Sequence, residues 1–204
     1  MQSFFRVDGP LYSFLAKVWG LLVLNLLMLL TSLPIITIGA AQTAGFTVTT
    51  RMIHLNETRI VLSYFTSFKK NFKKSTVSWI ILLIILTILS FNWSYLLKFY
   101  RFNSWITIGV AIVTIIGANF FQYIFFYISR IDDSLKQTFI NIVKLTLTFP
   151  IRSIIMLFVM LLPVLTMLLS VELFVFGMYI GIFIGISFMH FLRTFLLLEL
   201  FRKL

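Results

Sequence analysis

Residues 77–97 read VSWIILLIILTILSFNWSYLL and residues 105–128 read WITIGVAIVTIIGANFFQYIFFYI, with no charged side chain in either run. A bilayer core about 30 Å thick needs roughly 20 apolar residues in a helix, so each run predicts one membrane-spanning helix. Lys98 and Arg101 lie in the short segment between the runs, which predicts a helical hairpin. The fold class therefore follows from these two spans, and the remaining sequence is read outward from them.

The composition of the whole chain agrees with a membrane protein. The 204 residues are 60% hydrophobic and only 11% charged, and the mean hydropathy is +1.05. These values lie far outside the usage of soluble domains. The formal charge of +11 indicates membrane topology, because a nucleic-acid-binding domain would not carry so much apolar sequence. The chain has no cysteine, which excludes thiol nucleophiles and cysteine-ligated metals.

Three further apolar runs predict three more spans. They are residues 18–33, 153–169 and 173–192, and the last two are so close together that they form a tight hairpin. The segment 35–50 is harder to assign, because it is only moderately apolar and is rich in Gly, Ala and Thr. It either returns across the membrane or lies along it. The chain is therefore predicted to have six spans or five.

The distribution of basic residues distinguishes these two counts. Six spans leave only Lys98 and Arg101 outside and place the other fifteen Lys and Arg residues inside. Five spans move Arg6 and Lys17 outside as well, which makes the split thirteen against four. Both counts obey the positive-inside rule, and six obeys it better. We predict a six-span, all-helical bundle in the cytoplasmic membrane, with five spans as the alternative. The C-terminus is predicted to be cytoplasmic in both arrangements. The N-terminus is predicted to be cytoplasmic in the six-span arrangement.

The chain is predicted to be one integral membrane domain, 1–204, with three segments outside the bilayer core. Residues 1–17 form an interfacial segment, and residues 59–76 and 130–150 form cytoplasmic amphipathic segments. In 59–76, aromatic side chains share a helix face and lysines lie beside them. Each lysine could contribute about 1 kcal/mol of binding free energy to an anionic inner leaflet, or the lysines could contact a partner protein. The predicted contact residues are Phe65, Phe68, Lys69, Lys70, Phe72, Lys73 and Lys74.

An internal repeat is a further hypothesis. The tetrapeptide Ile-Thr-Ile-Gly occurs at 36–39 and again at 106–109, and matches at an offset of one more residue continue through Arg59 and Arg130. The repeated unit would be a hairpin followed by a cytoplasmic amphipathic segment. Because each unit would start on the inside, the repeats would be parallel. A repeat would favour six spans, since it pairs 35–50 with a segment that clearly crosses.

The polar residues inside the predicted spans do not form a recognisable catalytic set. Ser187 and His190 share one helix without a carboxylate to orient them, and Arg193 is expected at the membrane edge. No catalytic, cofactor-binding or metal-binding residues are predicted, and the chain is not expected to be an enzyme. Some neutral side chains could line a polar path or bind neighbouring helices. They are Asn25, Gln42, Thr43, Asn119 and Gln122.

The order of several local patterns resembles the YesL-like family of small bacterial membrane proteins, whose biochemical activity is undefined. The resemblance covers roughly residues 10–100. It rests on Leu24-Asn25-Leu26-Leu27, Gly39 with Thr43-Ala44, Arg51-Met52, and Phe65-x2-Phe68-x3-Phe72 with its lysines before Trp79. It implies a multi-pass protein often encoded beside carbohydrate ABC importers and polysaccharide-degrading enzymes, and it brings no catalytic residues with it.

Together these observations predict a non-enzymatic accessory or regulatory component of bacterial carbohydrate uptake. The expected partners are the lipid bilayer with its anionic inner leaflet and subunits of a sugar ABC importer, and no nucleic acid. The alternative is a small-molecule transporter whose path is lined by the neutral polar residues named above.

Overall fold

The computed structural model describes residues 10–55, 59–99 and 105–201, and the regular elements within these ranges are all helical. The elements are α1 (Pro10–Ser32), a 3₁₀ turn (Ile35–Thr37), α2 (Ile38–His54), α3 (Ile60–Phe99), α4 (Trp105–Arg130), α5 (Leu135–Thr148), α6 (Pro150–Met167), α7 (Val171–Ile180), a π-helical turn (Gly181–Gly185) and α8 (Ile186–Phe201).

Within the residues that the structure describes, five helical stretches are long and apolar enough to cross a membrane, judged by length and composition. They overlap the five apolar runs of the sequence and confirm the prediction of a helical, multi-pass architecture. The stretches are Leu11–Ser32, Ile60–Phe99, Trp105–Arg130, Pro150–Met167 and Val171–Glu199.

The predicted N-terminal interfacial segment, residues 1–17, lies only partly within the described ranges. Residues 1–9 lie outside the described ranges, so this part of the prediction is not addressed. Residues 10–17 belong to α1 and continue directly into the first span, so they do not form a separate helix. Pro10 begins α1, which fits the fixed φ of proline and its missing N–H donor in the first turn of a helix.

Helix α2 lies at the centre of the described bundle. Its 17 residues extend about 26 Å, and ten of them are buried. Small residues permit close packing: a Cβ atom built on Gly45 would lie 2.8 Å from Sδ of Met28 in α1. At the C-terminal end of α2, Thr49 Oγ1 lies 2.7 Å from Thr194 Oγ1 of α8. This small-residue segment therefore packs inside the bundle.

Helix α3 corrects one predicted boundary. The amphipathic segment 59–76 was expected to be separate from the span 77–97, but both belong to a single helix of 40 residues, about 60 Å long. No Gly or Pro occurs between Ile60 and Phe99, so nothing in the backbone interrupts the helix where its polarity changes. The lysine-bearing half of α3 is therefore held rigidly in line with the apolar half.

The two halves of α3 have different neighbours. The first half runs antiparallel to α2, and its end is fixed where Trp79 Nε1 donates a hydrogen bond to the Ile35 carbonyl oxygen at 2.7 Å. The second half runs antiparallel to α4, where Trp93 Nε1 donates to Thr114 Oγ1 at 2.9 Å. Helix α3 thus connects the α2 region to the apolar hairpin with α4.

The second predicted amphipathic segment, 130–150, contains a separate helix as expected. Ser134 caps α5 by accepting a hydrogen bond from the Gln137 N–H at 3.3 Å. Helix α6 begins at Pro150, immediately after α5 ends. At the far end of α6, the predicted tight hairpin is present, and Ser170 caps α7 through the Leu173 N–H at 3.2 Å.

The proposed internal repeat is not reproduced in the packing of its two copies. Gly39 and Gly109 occupy the same position of the repeated tetrapeptide. A Cβ atom on Gly39 would lie 2.5 Å from the Ser75 carbonyl oxygen, whereas a Cβ atom on Gly109 would have nothing within 4 Å. The first amphipathic segment also continues into a span, and the second does not.

Candidate functional site

The lysine-bearing half of α3 presents an exposed, basic face. Lys69, Lys70 and Lys73 are exposed, and Phe65 and Phe72 beside them are 39% and 40% exposed. We call these five residues the basic surface. Lys70 Nζ lies 3.8 Å from Asp132 Oδ2, but both side chains are largely exposed, so this ion pair contributes little stability.

The other two predicted contact residues are used within the protein. Lys74 is half-buried, and its Nζ donates a hydrogen bond to the Asp133 carbonyl oxygen, which links α3 to the turn before α5. Phe68 is partly buried and stacks on Tyr64 with ring centroids 6.1 Å apart. Tyr64 is fully buried, and its hydroxyl lies 2.5 Å from Thr31 Oγ1. The aromatic face is thus divided between the core and the surface.

Asn25 of α1 is fully buried and makes three hydrogen bonds to the backbone around the π-helical turn. Its Nδ2 donates to the carbonyl oxygens of Gly181 at 3.0 Å and Ile182 at 2.6 Å, and its Oδ1 accepts from the Ser187 N–H at 2.9 Å. A π-helical turn interrupts the regular hydrogen-bond pattern of an α-helix, and the Asn25 side chain supplies hydrogen-bond partners for the backbone there. These contacts favour a structural use of Asn25 over lining a path.

Thr43, Asn119 and Gln122 are also bonded to the protein itself. Thr43 Oγ1 lies 2.8 Å from Ser75 Oγ of α3. Gln122 Nε2 donates to Asn119 Oδ1 at 2.7 Å and to the Ser153 carbonyl oxygen of α6 at 3.1 Å. All three are buried. Thr43 and Gln122 join neighbouring helices, as polar side chains in membrane bundles commonly do. Asn119 instead bonds to Ile115 and Gln122 within α4.

Gln42 is placed differently, because it lines a cavity of about 710 Å³ between α2, α4, α6 and the α7–α8 segment. Most of the cavity wall is apolar, with Met160 and Pro163 on one side and Phe176 on the other. The polar residues of the wall are Gln42, Thr166, His190 and Arg193. His190 and Arg193 both pack against Phe46, which lies one helical turn after Gln42 in α2. Of the five predicted polar residues, Gln42 alone is among those that line this cavity.

Arg193 was expected at the membrane edge, where an arginine side chain is ordinarily solvated, but the structure buries it. Its side chain is only 7% exposed, its Nη2 atom donates to the Gln122 carbonyl oxygen at 3.0 Å, and its guanidinium lies 5.2 Å from the centre of the Phe46 ring. Hydropathy alone did not reveal this burial. A signal was nevertheless present, because His190, Arg193 and Thr194 share one face of a helix within an apolar run.

Ser187 and His190 do not form a catalytic pair in the structure. The Ser187 hydroxyl donates to the Leu21 carbonyl oxygen at 2.7 Å, and His190 Nδ1 is buried without a hydrogen-bond partner. Within residues 10–55, 59–99 and 105–201, no group of three His, Asp or Glu side chains is placed to hold a metal ion.

The fold and the apolar helices define a multi-pass helical membrane protein. Residues 21–93 match a family described as "Protein of unknown function, DUF624", to which YesL-like proteins belong. This match covers the second half of α1, all of α2 and most of α3, including Asn25, Gly39 and the basic surface. No curated protein and no solved structure matches the chain.

Proposed function

We propose that this protein is a non-enzymatic accessory component of carbohydrate uptake in the bacterial cytoplasmic membrane, and that it contacts an importer subunit through the basic surface. The observation that carries the proposal is the exposure of Lys69, Lys70 and Lys73 on a rigid helix. The link to carbohydrate uptake rests on the resemblance to YesL-like proteins, which belong to the family of unknown function that residues 21–93 match.

The location of the basic surface favours five membrane crossings over six. The hydrogen bonds Thr43–Ser75 and Thr47–Ser67 bracket the lysines, so the lysines lie beside the middle of α2. If α2 crossed the bilayer, these exposed charges would lie near its centre, where a charged group is costly. We therefore propose that α2, which packs against α1 at Met28, does not cross the bilayer, and that the exposed lysines lie at its cytoplasmic face.

Topology is tested with a reporter fused before residue 1 and a second reporter fused after residue 204. Five crossings place the first reporter in the periplasm and the second in the cytoplasm, because α1 then enters the membrane from outside. We measure alkaline phosphatase and green fluorescent protein activity of both fusions. A cytoplasmic signal from both ends would support six crossings and contradict the five-span arrangement.

The partner contact is tested by a charge-neutralising pair, Lys69→Gln with Lys73→Gln. These lysines are exposed and make no ion pair with a described acidic residue, so their loss should leave the fold intact. We expect the yield of importer subunits that co-purify from native membranes to fall at least about fivefold, and to fall also with salt.

The matched control is Lys136→Gln with Lys144→Gln, which removes two exposed lysines from α5 instead. The control should retain the partner at the wild-type level. If no importer subunit co-purifies with the wild-type protein in mild detergent, the proposed accessory function is wrong. If both pairs reduce the yield equally, the contact depends on net charge and not on the basic surface.

The second candidate function is transport by the chain itself. The observation that favours it is the cavity, which reaches Gln42 in the interior of the bundle. Its test is uptake of a labelled sugar into liposomes that contain only this protein. Uptake above that of empty liposomes would favour transport over the accessory function.

A further inference from the structure

Arg193 carries a buried positive charge without a carboxylate partner among the residues that the structure describes. Its contacts are one backbone carbonyl oxygen, of Gln122, and one ring face, of Phe46. A guanidinium has five N–H donors, so one carbonyl leaves most of them without an acceptor. A buried charge is costly unless it is paired, and such groups inside a membrane protein commonly mark a binding site.

The surroundings of Arg193 provide space for an acceptor. Arg193 lines the polar end of the 710 Å³ cavity together with Gln42 and His190. Described acidic side chains are absent from the wall of this cavity, so the end that contains Arg193 is positive. The chemistry that fits is an anionic oxygen group, such as a phosphate diester, which accepts bidentate hydrogen bonds from arginine.

The rest of the cavity fits an apolar chain. Its wall continues between α6 and α7 through Met160, Val164, Met167 and Phe176. Met160 to Met167 extends about 10 Å along α6, a large part of one leaflet of the hydrocarbon core. Phe176 and Phe188 are 63% and 47% exposed, so this wall faces the lipid side of the bundle. A ligand could therefore enter from the bilayer.

The depth of Arg193 agrees with that of a lipid headgroup. Helix α6 has 18 residues and is just long enough for the hydrocarbon core. Ser153, in its first turn, accepts a hydrogen bond from Gln122, whose carbonyl oxygen accepts one from Arg193. Arg193 therefore lies near the boundary of the leaflet in which α6 begins.

We propose that this cavity binds an anionic phospholipid, with its phosphate on Arg193 and one acyl chain between α6 and α7. This lipid site is separate from the basic surface, so the inference does not depend on the accessory function. Inorganic phosphate shares the anionic chemistry but has no chain for the apolar wall.

The probe is dioleoyl phosphatidylglycerol added to delipidated protein in detergent, and the readout is the bound lipid counted by native mass spectrometry. We expect retention of this lipid and at least tenfold weaker retention of dioleoyl phosphatidylcholine. Arg193→Gln should weaken retention at least tenfold, and Arg193→Lys should weaken it less. Excess inorganic phosphate should displace little of the lipid.

A second variant tests the apolar wall without touching the arginine. A Cβ atom on Gly181, which lines the cavity, would have nothing within 4 Å, so Gly181→Leu adds a side chain to open space. We expect this variant to fold and to retain at least fivefold less lipid than the wild-type protein. Gly109→Leu, also built into open space but away from the cavity, should bind as the wild type does.

Three results would overturn the lipid site. The first is equal retention by the wild-type protein and Gly181→Leu. The second is equal retention of phosphatidylglycerol and phosphatidylcholine, since Arg193 would then not select the anionic lipid. The third is complete displacement by inorganic phosphate, which would indicate a site for the free anion. If Arg193→Gln fails to fold, the Gly181→Leu and Gly109→Leu pair still decides the question.

Discussion

Gly39→Ala should lower the thermal unfolding midpoint of the purified protein by about 6–12 °C, because the added methyl group has no space between α2 and α3. Its Cβ atom would lie 2.5 Å from the Ser75 carbonyl oxygen and 2.7 Å from Trp79 Cβ. Overpacking of this kind costs about 1–3 kcal/mol, and we expect the upper end because the Ser75 oxygen belongs to a helix backbone that cannot rotate away. The measurement is tryptophan fluorescence during heating in detergent.

The matched control is Gly109→Ala, at the corresponding position of the repeated tetrapeptide. A Cβ atom there meets nothing within 4 Å, and alanine is favoured over glycine within a helix by about 0.5–1 kcal/mol. The midpoint should therefore stay unchanged or rise by a few degrees, about 1–4 °C. Equal destabilisation by both substitutions would contradict the close α2–α3 contact and would instead support two equivalent repeats.

Much of the fold could be predicted from the sequence, because a membrane span leaves a direct signal in it. The runs 77–97 and 105–128 are apolar for long enough to cross, and charged residues mark their ends. The starts of α6 and α7 also carry local signals, since Pro150 suits a first helical turn and Ser170 suits an N-cap. These signals depend only on the local sequence, so they can be recognised without knowledge of the tertiary structure.

The assignment of residues 35–76 required tertiary information. Polarity changes sharply at Val77, but a change of polarity does not end a helix, and α3 continues through it. Residues 38–54 are as short and polar as an interfacial helix, and yet they form the most buried element. Their burial depends on α1, α3, α4 and α8, which the local composition cannot specify.

The candidate site was predictable in part for the same reason. The exposure of Lys69, Lys70 and Lys73 follows from their helical spacing, which the sequence shows directly. The burial of Arg193 depends on Gln122 and Phe46, which are 71 and 147 residues away along the chain. Because an arginine near the end of an apolar run ordinarily reaches the interface, hydropathy predicted the wrong environment.

The second large effect is expected at Asn25, whose neighbours were also hidden by their distance in the sequence. Asn25→Leu keeps the approximate side-chain volume but removes three hydrogen bonds to the backbone of Gly181, Ile182 and Ser187. Each buried polar group left without a partner costs about 1–3 kcal/mol, so for three such groups we expect a loss of roughly 3 kcal/mol or more. In the heating experiment, a loss of about 3 kcal/mol corresponds to a midpoint lower by about 6–12 °C for a chain of this length.

Asn92→Leu separates this effect from the loss of an asparagine as such. Asn92 is exposed, and its side chain donates only to the Ile88 carbonyl oxygen of its own helix. That carbonyl keeps its backbone partner, so the midpoint should change by less than about 2 °C. Asn25→Asp provides a second comparison, because it keeps the acceptor for the Ser187 N–H but replaces the donor with a charge next to two carbonyl oxygens. It should be at least as unstable as Asn25→Leu, and wild-type stability of either Asn25 variant would show that the π-helical turn does not need this side chain.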